Sequence, residues 1–287
     1  MITIEKLEQI YSNYNYFIFD VWGVIHDGVS AYPNASSVIK ELNKIGKKVC
    51  FLSNAPRRAS KVAEVLKKYD IYPNQYDFIM TSGEATFLDL QDNQNKNYNK
   101  YGKNYFYIGP KKDLDLLDGL DYKMVTKASE ADFVINTGFD NDDSTIEEKI
   151  PQITEALKNK LKMICVNPDM IVIRKDRTEM LCAGVIAEEY KKNSGQVIYY
   201  GKPYEEVYNI TRKLFNYCDK NQMIAIGDGL ETDILGANNF GIDSVFITSG
   251  ILSNKLGVSF GERPDQKKLK YYCELYKSDP KYVLTNL

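Results

Sequence analysis

Three short apolar runs alternate with two helical patterns between residues 16 and 81, and this alternation limits the possible folds more than any other feature of the chain. The first run, Tyr16 to Phe19, ends in Asp20 and is followed by glycines at 23 and 28. Ala35, Val38, Ile39, Leu42 and Ile45 then recur at helical spacing until Gly46 stops the pattern. Lys48 to Leu52 is a second run, closed by Ser53-Asn54; Arg57 to Tyr69 reads as a helix, and Phe78 to Met80 as a third strand. A βαβαβ rhythm predicts an α/β fold with a doubly wound, Rossmann-like parallel sheet. Such sheets bind ligands beyond the carboxyl ends of their strands, where this reading places Asp20. Alone, a strand-end Asp is a turn residue about as often as a catalytic one.

Beyond residue 90 the rhythm slackens. Gln91 to Asn104 is rich in Asn, Lys and Tyr without periodicity and reads as an exposed loop. A fresh α/β set follows: Tyr105–Ile108, Met124–Val125, Asp132–Asn136, a helix over Ser144–Asn159, and Lys162–Val166. These runs suffice for a second, inserted domain. After a helix pattern at Ala183–Lys191, strand-turn units resume at Val197–Tyr200 before Gly201-Lys202-Pro203 and at Met223–Ile226 before Gly227-Asp228-Gly229. Gln266–Tyr276 reads as a helix, as does the amphipathic amino terminus, Met1 to Ile10.

Composition removes several function classes. The chain has 287 residues, 44% hydrophobic and 26% charged, with net charge −2, so no global positive field exists to hold nucleic acid or an anionic membrane. An anionic ligand must be gripped by a local site. Cys50, Cys165, Cys182, Cys218 and Cys273 are scattered without paired metal spacing, as expected of buried thiols in a reducing compartment. With no signal-peptide pattern and no apolar run of spanning length, the expected location is cytoplasmic.

The polar residues directly after the strands are Asp20, Ser53 with Asn54, Lys202, and Asp228 with Asp233. Carboxylates converging at strand ends repel one another unless a hard divalent cation neutralises them, and an all-oxygen donor set favours Mg²⁺. A Lys and a Ser in the same crevice offer a point charge and a donor to a phosphate. One carboxylate is then available to attack phosphorus.

On these motifs the sequence resembles the haloacid dehalogenase superfamily of phosphohydrolases, in its class IIA group of 4-nitrophenyl phosphatase-like and pyridoxal phosphatase-like proteins with an inserted α/β cap. The resemblance implies Asp20 of Phe19-Asp20-Val21-Trp22-Gly23-Val24 as nucleophile. It implies Ser53 and Asn54 as phosphate-binding, and Lys202 as the charge balancing Asp20 and phosphate. It also implies Asp20, the Trp22 backbone carbonyl, Asp228 and Asp233 as Mg²⁺ ligands. Asn167-Pro168-Asp169 and Gly184 are similar to the point where such a cap returns to the core, giving a core of residues 1–84 and 185–287 and a cap of 85–184. The expected partner is a small phosphorylated metabolite, with neither nucleic acid nor membrane; capped relatives of this kind often pair through the cap, which makes a homodimer an expectation too.

One departure stands out. Relatives that cleave phosphate esters usually carry a second Asp two residues after the nucleophile, where this chain has Trp22. General acid-base help is worth about 10² to 10⁴ in rate. Three readings follow: substrates whose leaving groups need little protonation, such as aryl or acyl phosphates; proton transfer by His26, the lone histidine; or a phospholigand-binding regulatory protein that has kept the fold. Trp22 as a packing residue at the rim fits all three. Arg57 and Arg58 read as phosphate-facing or as solvated surface charge, Asp27 as a turn former, and Glu84, Asp169 and Arg174 as residues near the junction of core and cap.

Overall fold

The computed structural model describes residues 1–94, 100–173 and 178–287. Met1–Ser53, Ser60–Met80 and Lys202–Leu287 form one compact unit, and Asn54–Ala59 with Thr81–Gly201 form another. The chain runs through β1 (Ile2–Thr3), β2 (Tyr16–Phe19), α1 (Ala35–Lys44), β3 (Lys48–Ser53), α2 (Ala59–Lys67) and β4 (Phe78–Thr81). It continues with α3 (Ser82–Gln94), β5 (Asn104–Ile108), β6 (Lys123–Val125), β7 (Phe133–Asn136), α4 (Ile150–Lys158), β8 (Lys162–Cys165), β9 (Ile171–Ile173), β10 (Glu179–Leu181), α5 (Ala183–Lys192) and β11 (Gln196–Tyr199). It ends with α6 (Glu205–Leu214), β12 (Met223–Gly227), α7 (Leu235–Phe240), β13 (Asp243–Ile247), α8 (Ser253–Leu256), α9 (Gln266–Leu275) and β14 (Tyr282–Leu284).

The first unit is built on a seven-stranded sheet in the order β1-β14-β13-β12-β2-β3-β4. From β1 through β3 every neighbouring pair is parallel. Phe17, Ile18 and Phe19 of β2 are all buried, as a strand covered on both faces requires. Each such side chain contributes roughly 2 to 3 kcal/mol of burial free energy. Chain order reverses on either side of β2: later strands β12, β13 and β14 lie to one side, β3 and β4 to the other. That reversal opens a crevice at the strand ends. Phe19 is in register with Ile226 of β12 and Phe51 of β3, so the three neighbouring strands finish within two residues of one another.

The second unit carries a five-stranded parallel sheet, β11-β8-β7-β5-β6, and an antiparallel β9-β10 hairpin. Its core gathers Val134, Met163 and Cys165 from the sheet with Ile153, Ile186 and Tyr190 from the helices. β11 pairs with β8, so the strand at 196–199 belongs to this unit rather than to the core begun at residue 185. The return to the first unit falls between Gly201 and Lys202.

Other expectations also need correction. The amino terminus is not an α-helix: Ile2 and Thr3 pair with β14, and Leu7–Asn13 forms a 3₁₀ helix burying Leu7, Ile10 and Tyr11. Three-residue spacing serves a 3₁₀ turn as well as an α-helix. The stretch from Gln91 begins in helix, because α3 extends to Gln94 and buries Phe87, Leu90 and Asn93 on one side; residues 95–99 of the expected loop lie outside the described residues. The helix expected from Ser144 starts as a 3₁₀ turn, Ile146–Lys149, and becomes α4 with Pro151 in its first turn. All five cysteines are free and buried, and no helix among the described residues is long and apolar enough to cross a membrane.

Candidate active site

Asp20 follows β2 directly. Its backbone N–H donates to Ile226 O of β12 at 2.8 Å, extending the parallel ladder by one residue and fixing where the carboxylate begins. Asp228 directly follows the last residue of β12, Gly227. Asp233 lies one turn further on, in the wide helical turn Leu230–Ile234, where Ile234 N–H reaches back five residues to Gly229 O at 3.1 Å. Such π-type turns re-aim a side chain relative to a regular helix and recur at functional sites. The Asp233 Oδ2 accepts from Gly229 N–H at 3.0 Å, which closes the turn upon its own carboxylate.

Lys202 ties this set together. Its Nζ donates to Asp20 Oδ1 at 2.5 Å and to Asp233 Oδ1 at 2.7 Å, and it is only 3% exposed. Burial by itself would lower the lysine's pKa, but the two carboxylates outweigh burial and raise it, so the ammonium stays charged. Burial drives Asp20 well above the ordinary carboxylate range; Lys202 opposes this, while Asp233 and Asp228 reinforce it. Asp228 is pushed up to about 7 by burial and by Asp233, against the N–H of Ile251, which donates to its Oδ2 at 2.6 Å. Three buried carboxylates thus share one buried ammonium, and fully ionised they carry an excess of two negative charges.

That imbalance is a test of metal fit, and the residues pass it. One oxygen from each of Asp20, Asp228 and Asp233 lies within 4.8 Å of the others, all three residues are buried, and the set contains no nitrogen or sulfur donor. Such a site can hold a hard divalent cation. Its wall leaves no slack: Gly23 has φ +84°, and a Cβ there would overlap the Asp228 carboxylate. Gly23→Ala is therefore expected to displace Asp228 and weaken divalent-ion binding by about 10- to 100-fold, as loss of a ligand's support does. Trp22 is the only tryptophan in the chain, so a Mg²⁺ titration of its fluorescence checks this without reference to activity.

Trp22 belongs to a tightly bonded loop. Gly23 N–H donates to His26 O at 2.9 Å, and Trp22 and His26 form an isolated bridge with their rings edge to face, centroids 5.3 Å apart. His26 is 5% exposed and also packs on Tyr69; its Nδ1 accepts from Gly28 N–H at 2.9 Å. Burial pushes its pKa down to about 4, leaving a neutral imidazole with one nitrogen committed to the loop. Asp27 forms a turn, as read from the sequence: its Oδ1 accepts from Val29 N–H and Ser30 N–H at 2.9 and 2.7 Å.

The remaining candidates divide between the units. Ser53 closes β3 and is 8% exposed. Asn54, the next residue, belongs to the second unit, where its Nδ2 donates to Asp169 Oδ1 at 2.7 Å. Arg57 and Arg58 are both engaged in ion pairs, with the Arg57 side chain still 39% exposed. Arg57 Nε donates to the buried Asp113 at 2.9 Å; Arg58 clasps Glu84 at 2.8 and 3.1 Å and stacks on Phe87, its carbon centre 3.4 Å from the ring centroid. Sequence spacing carried no sign of the Asp113 partnership. Arg174 lies outside the described residues.

Residues 17–123 match the family described as haloacid dehalogenase-like hydrolase, and residues 199–275 match a second family model of the same group, described as HAD-hydrolase-like. The chain is a haloacid dehalogenase-like hydrolase. The two matched stretches carry all of Asp20, Ser53, Lys202, Asp228 and Asp233. A solved haloacid dehalogenase-like hydrolase from Brucella suis is 27% identical and superposes with a TM-score of 0.82 over 99% of each chain. The p-nitrophenyl phosphatase of Archaeoglobus fulgidus, 21% identical with a TM-score of 0.74 over 96% of this chain and 97% of its own, shares the fold. Among curated sequences, 5'-nucleotidase YutF of Bacillus subtilis is 24% identical over 254 residues, 88% of this chain and 93% of its own. An acid sugar phosphatase of Staphylococcus epidermidis is 26% identical over 242 residues, 83% and 88% of the two.

Proposed function

We propose that this haloacid dehalogenase-like hydrolase is a Mg²⁺-dependent phosphomonoester hydrolase that works through an aspartyl phosphate on Asp20. The observation that carries the proposal is the buried cluster in which Lys202 spans Asp20 and Asp233 while Asp228 completes an oxygen-only trio. The phosphatase and nucleotidase names of the relatives support the same class of substrate, a small phosphorylated metabolite.

Each residue then has one task. Asp20 attacks phosphorus in line, and the bond from phosphorus to the leaving oxygen breaks. Lys202, held in its charged state, offsets the negative charge brought together by Asp20 and the phosphoryl group. Ser53 and the amides that follow it bind phosphoryl oxygens. Asp20, Asp228, Asp233 and the Trp22 carbonyl would hold Mg²⁺, which would supply further charge neutralisation. Water finally attacks the phosphorus of the aspartyl phosphate and releases inorganic phosphate and the free carboxylate.

Trp22 sets the limits of this chemistry. Its indole N–H is far too weakly acidic to protonate a departing alkoxide, and His26, neutral and bonded at Nδ1 to the loop, supplies no imidazolium in its place. The leaving group therefore departs with its own charge, and the second, hydrolytic step lacks a strong base. The rate of leaving-group release in the first turnover is expected to fall by about 10² or more from 4-nitrophenyl phosphate to an alkyl phosphate. First-turnover release measured across a leaving-group series with Mg²⁺ and with chelator tests the proposal. Equal first-turnover rates for aryl and alkyl esters contradict it, and so does undiminished release in chelator. Binding of phosphorylated ligands without any release would instead establish the regulatory reading, which Trp22 also fits.

A further inference from the structure

We propose that Asp169 is a positioning residue for the phosphate grip: through the Asn54 carboxamide it holds together the two backbone segments that lead into Ser53 and Lys202. The inference rests on the phosphatase reading for its kinetic consequence and on geometry for its substance. The chain passes between its two units at 53/54, 59/60, 80/81 and 201/202, so the first and last of these points adjoin Ser53 and Lys202.

On the second unit's side, both of those points meet at one side chain. Asn54 is 4% exposed, and its Nδ2 donates to Asp169 Oδ1 at 2.7 Å. Its carboxamide oxygen lies so close to Gly201 that a Cβ on residue 201 would stand 2.5 Å away, and Gly201 has φ +120°, which favours glycine. One buried carboxamide thus touches the residue before Lys202 while occupying the position after Ser53.

Asp169 is itself fixed. Its N–H donates to Asn167 Oδ1 at 3.0 Å, and its carbonyl accepts from Gly184 N–H at 3.1 Å, tying the segment after β8 to the first turn of α5. The residues after Asn54 are held equally firmly. Ala55 O accepts from Ser82 Oγ at 2.9 Å and from Gly83 N–H at 3.2 Å, and Arg57 O accepts from Thr81 Oγ1. A carboxylate accepting from a buried amide is a strong, directional bond, so the Asn54 rotamer follows Asp169. Displacing reacting groups by about 1 Å costs on the order of 10² in rate even when the change is remote from the chemistry.

The test uses the full chain with saturating Mg²⁺ and two readouts: kcat and KM for 4-nitrophenyl phosphate, and amide hydrogen exchange of the stretches around 53–58 and 200–203. Asp169→Ala is expected to lower kcat by about 10² and to raise exchange in both stretches together. Asp169→Asn keeps an oxygen that accepts from Asn54 and is expected to restore most of the rate and the protection. Asp169→Glu moves the acceptor without removing it and falls between the two; it also serves should Asp169→Ala not fold. Exchange that rises around 54 but not around 201, or an Asn variant no better than Ala, overturns the proposal. If the unmodified protein releases no phosphate, the functional reading fails, and the exchange data still decide this one.

Discussion

Asp20→Asn is expected to abolish phosphate release, a loss of at least about 10⁴-fold, or roughly 5.5 kcal/mol of barrier. An amide oxygen in place of the carboxylate is a far weaker nucleophile toward phosphorus, and a buried site admits no ready substitute. Stability should not follow activity. Burial and the neighbouring Asp233 and Asp228 already penalise the Asp20 charge, while Lys202 keeps its bond to Asp233 at 2.7 Å when Asp20 is neutralised. The metal-free variant is therefore expected to melt no lower than the unmodified protein. Parallel assays of phosphate release and of thermal unfolding in chelator check both halves. Residual activity within tenfold of the original would remove Asp20 from its assigned role.

Lys202→Met is expected to damage both. Methionine fills much the same volume, but the change removes the ammonium that Asp20 and Asp233 share and leaves three buried carboxylates within 4.8 Å. Removing one partner from a buried ionic cluster costs about 3 to 5 kcal/mol. Side-chain exposures of 4% for the lysine and 10% and 5% for its partners leave little solvent to screen that cost. A divalent cation binding only the folded state restores part of the loss by mass action. The expected result is a marked fall in denaturant midpoint in chelator, a smaller fall with Mg²⁺, and no measurable turnover in either. Equal destabilisation with and without Mg²⁺ would contradict a cation site at the cluster.

The two variants fail differently because the cluster has too much negative charge and too little positive. Removing a carboxylate relieves the imbalance, whereas removing the lysine worsens it. Sequence alone placed these residues after strands, and the structure explains why that was sufficient. β2, β3 and β12 are short apolar runs whose patterns need no distant partner to be recognised, and each stops where a polar residue must face the crevice. Where the second unit ends was not readable in the same way. Val197–Tyr200 looks like a strand of either sheet, and only its pairing with β8 assigns it. β1 and β14 escaped because two or three residues give no period, and their pairing joins opposite ends of the chain.

The loop after Asp20 shows a further limit. Trp22 and His26 were visible as residue types, and the sequence left His26 free to be a proton donor or a turn residue. Its bond from Gly28 N–H and its packing between Trp22 and Tyr69 depend on loop geometry that no spacing encodes. The bond from Asn54 to Asp169 spans 115 residues and has no local signature at all. The candidate residues could thus be read one by one at strand ends, whereas the contacts that hold them in place could not.

The aspartyl phosphate is the centre of the account, and acid-quenched rapid mixing with 4-nitrophenyl phosphate and Mg²⁺ tests it most directly. The prediction is a burst of 4-nitrophenol approaching one equivalent per chain, slower steady turnover, and acid-stable, base-labile phosphate on the peptide that contains Asp20. Linear 4-nitrophenol release from the first turnover, with no phosphate on that peptide, would contradict it.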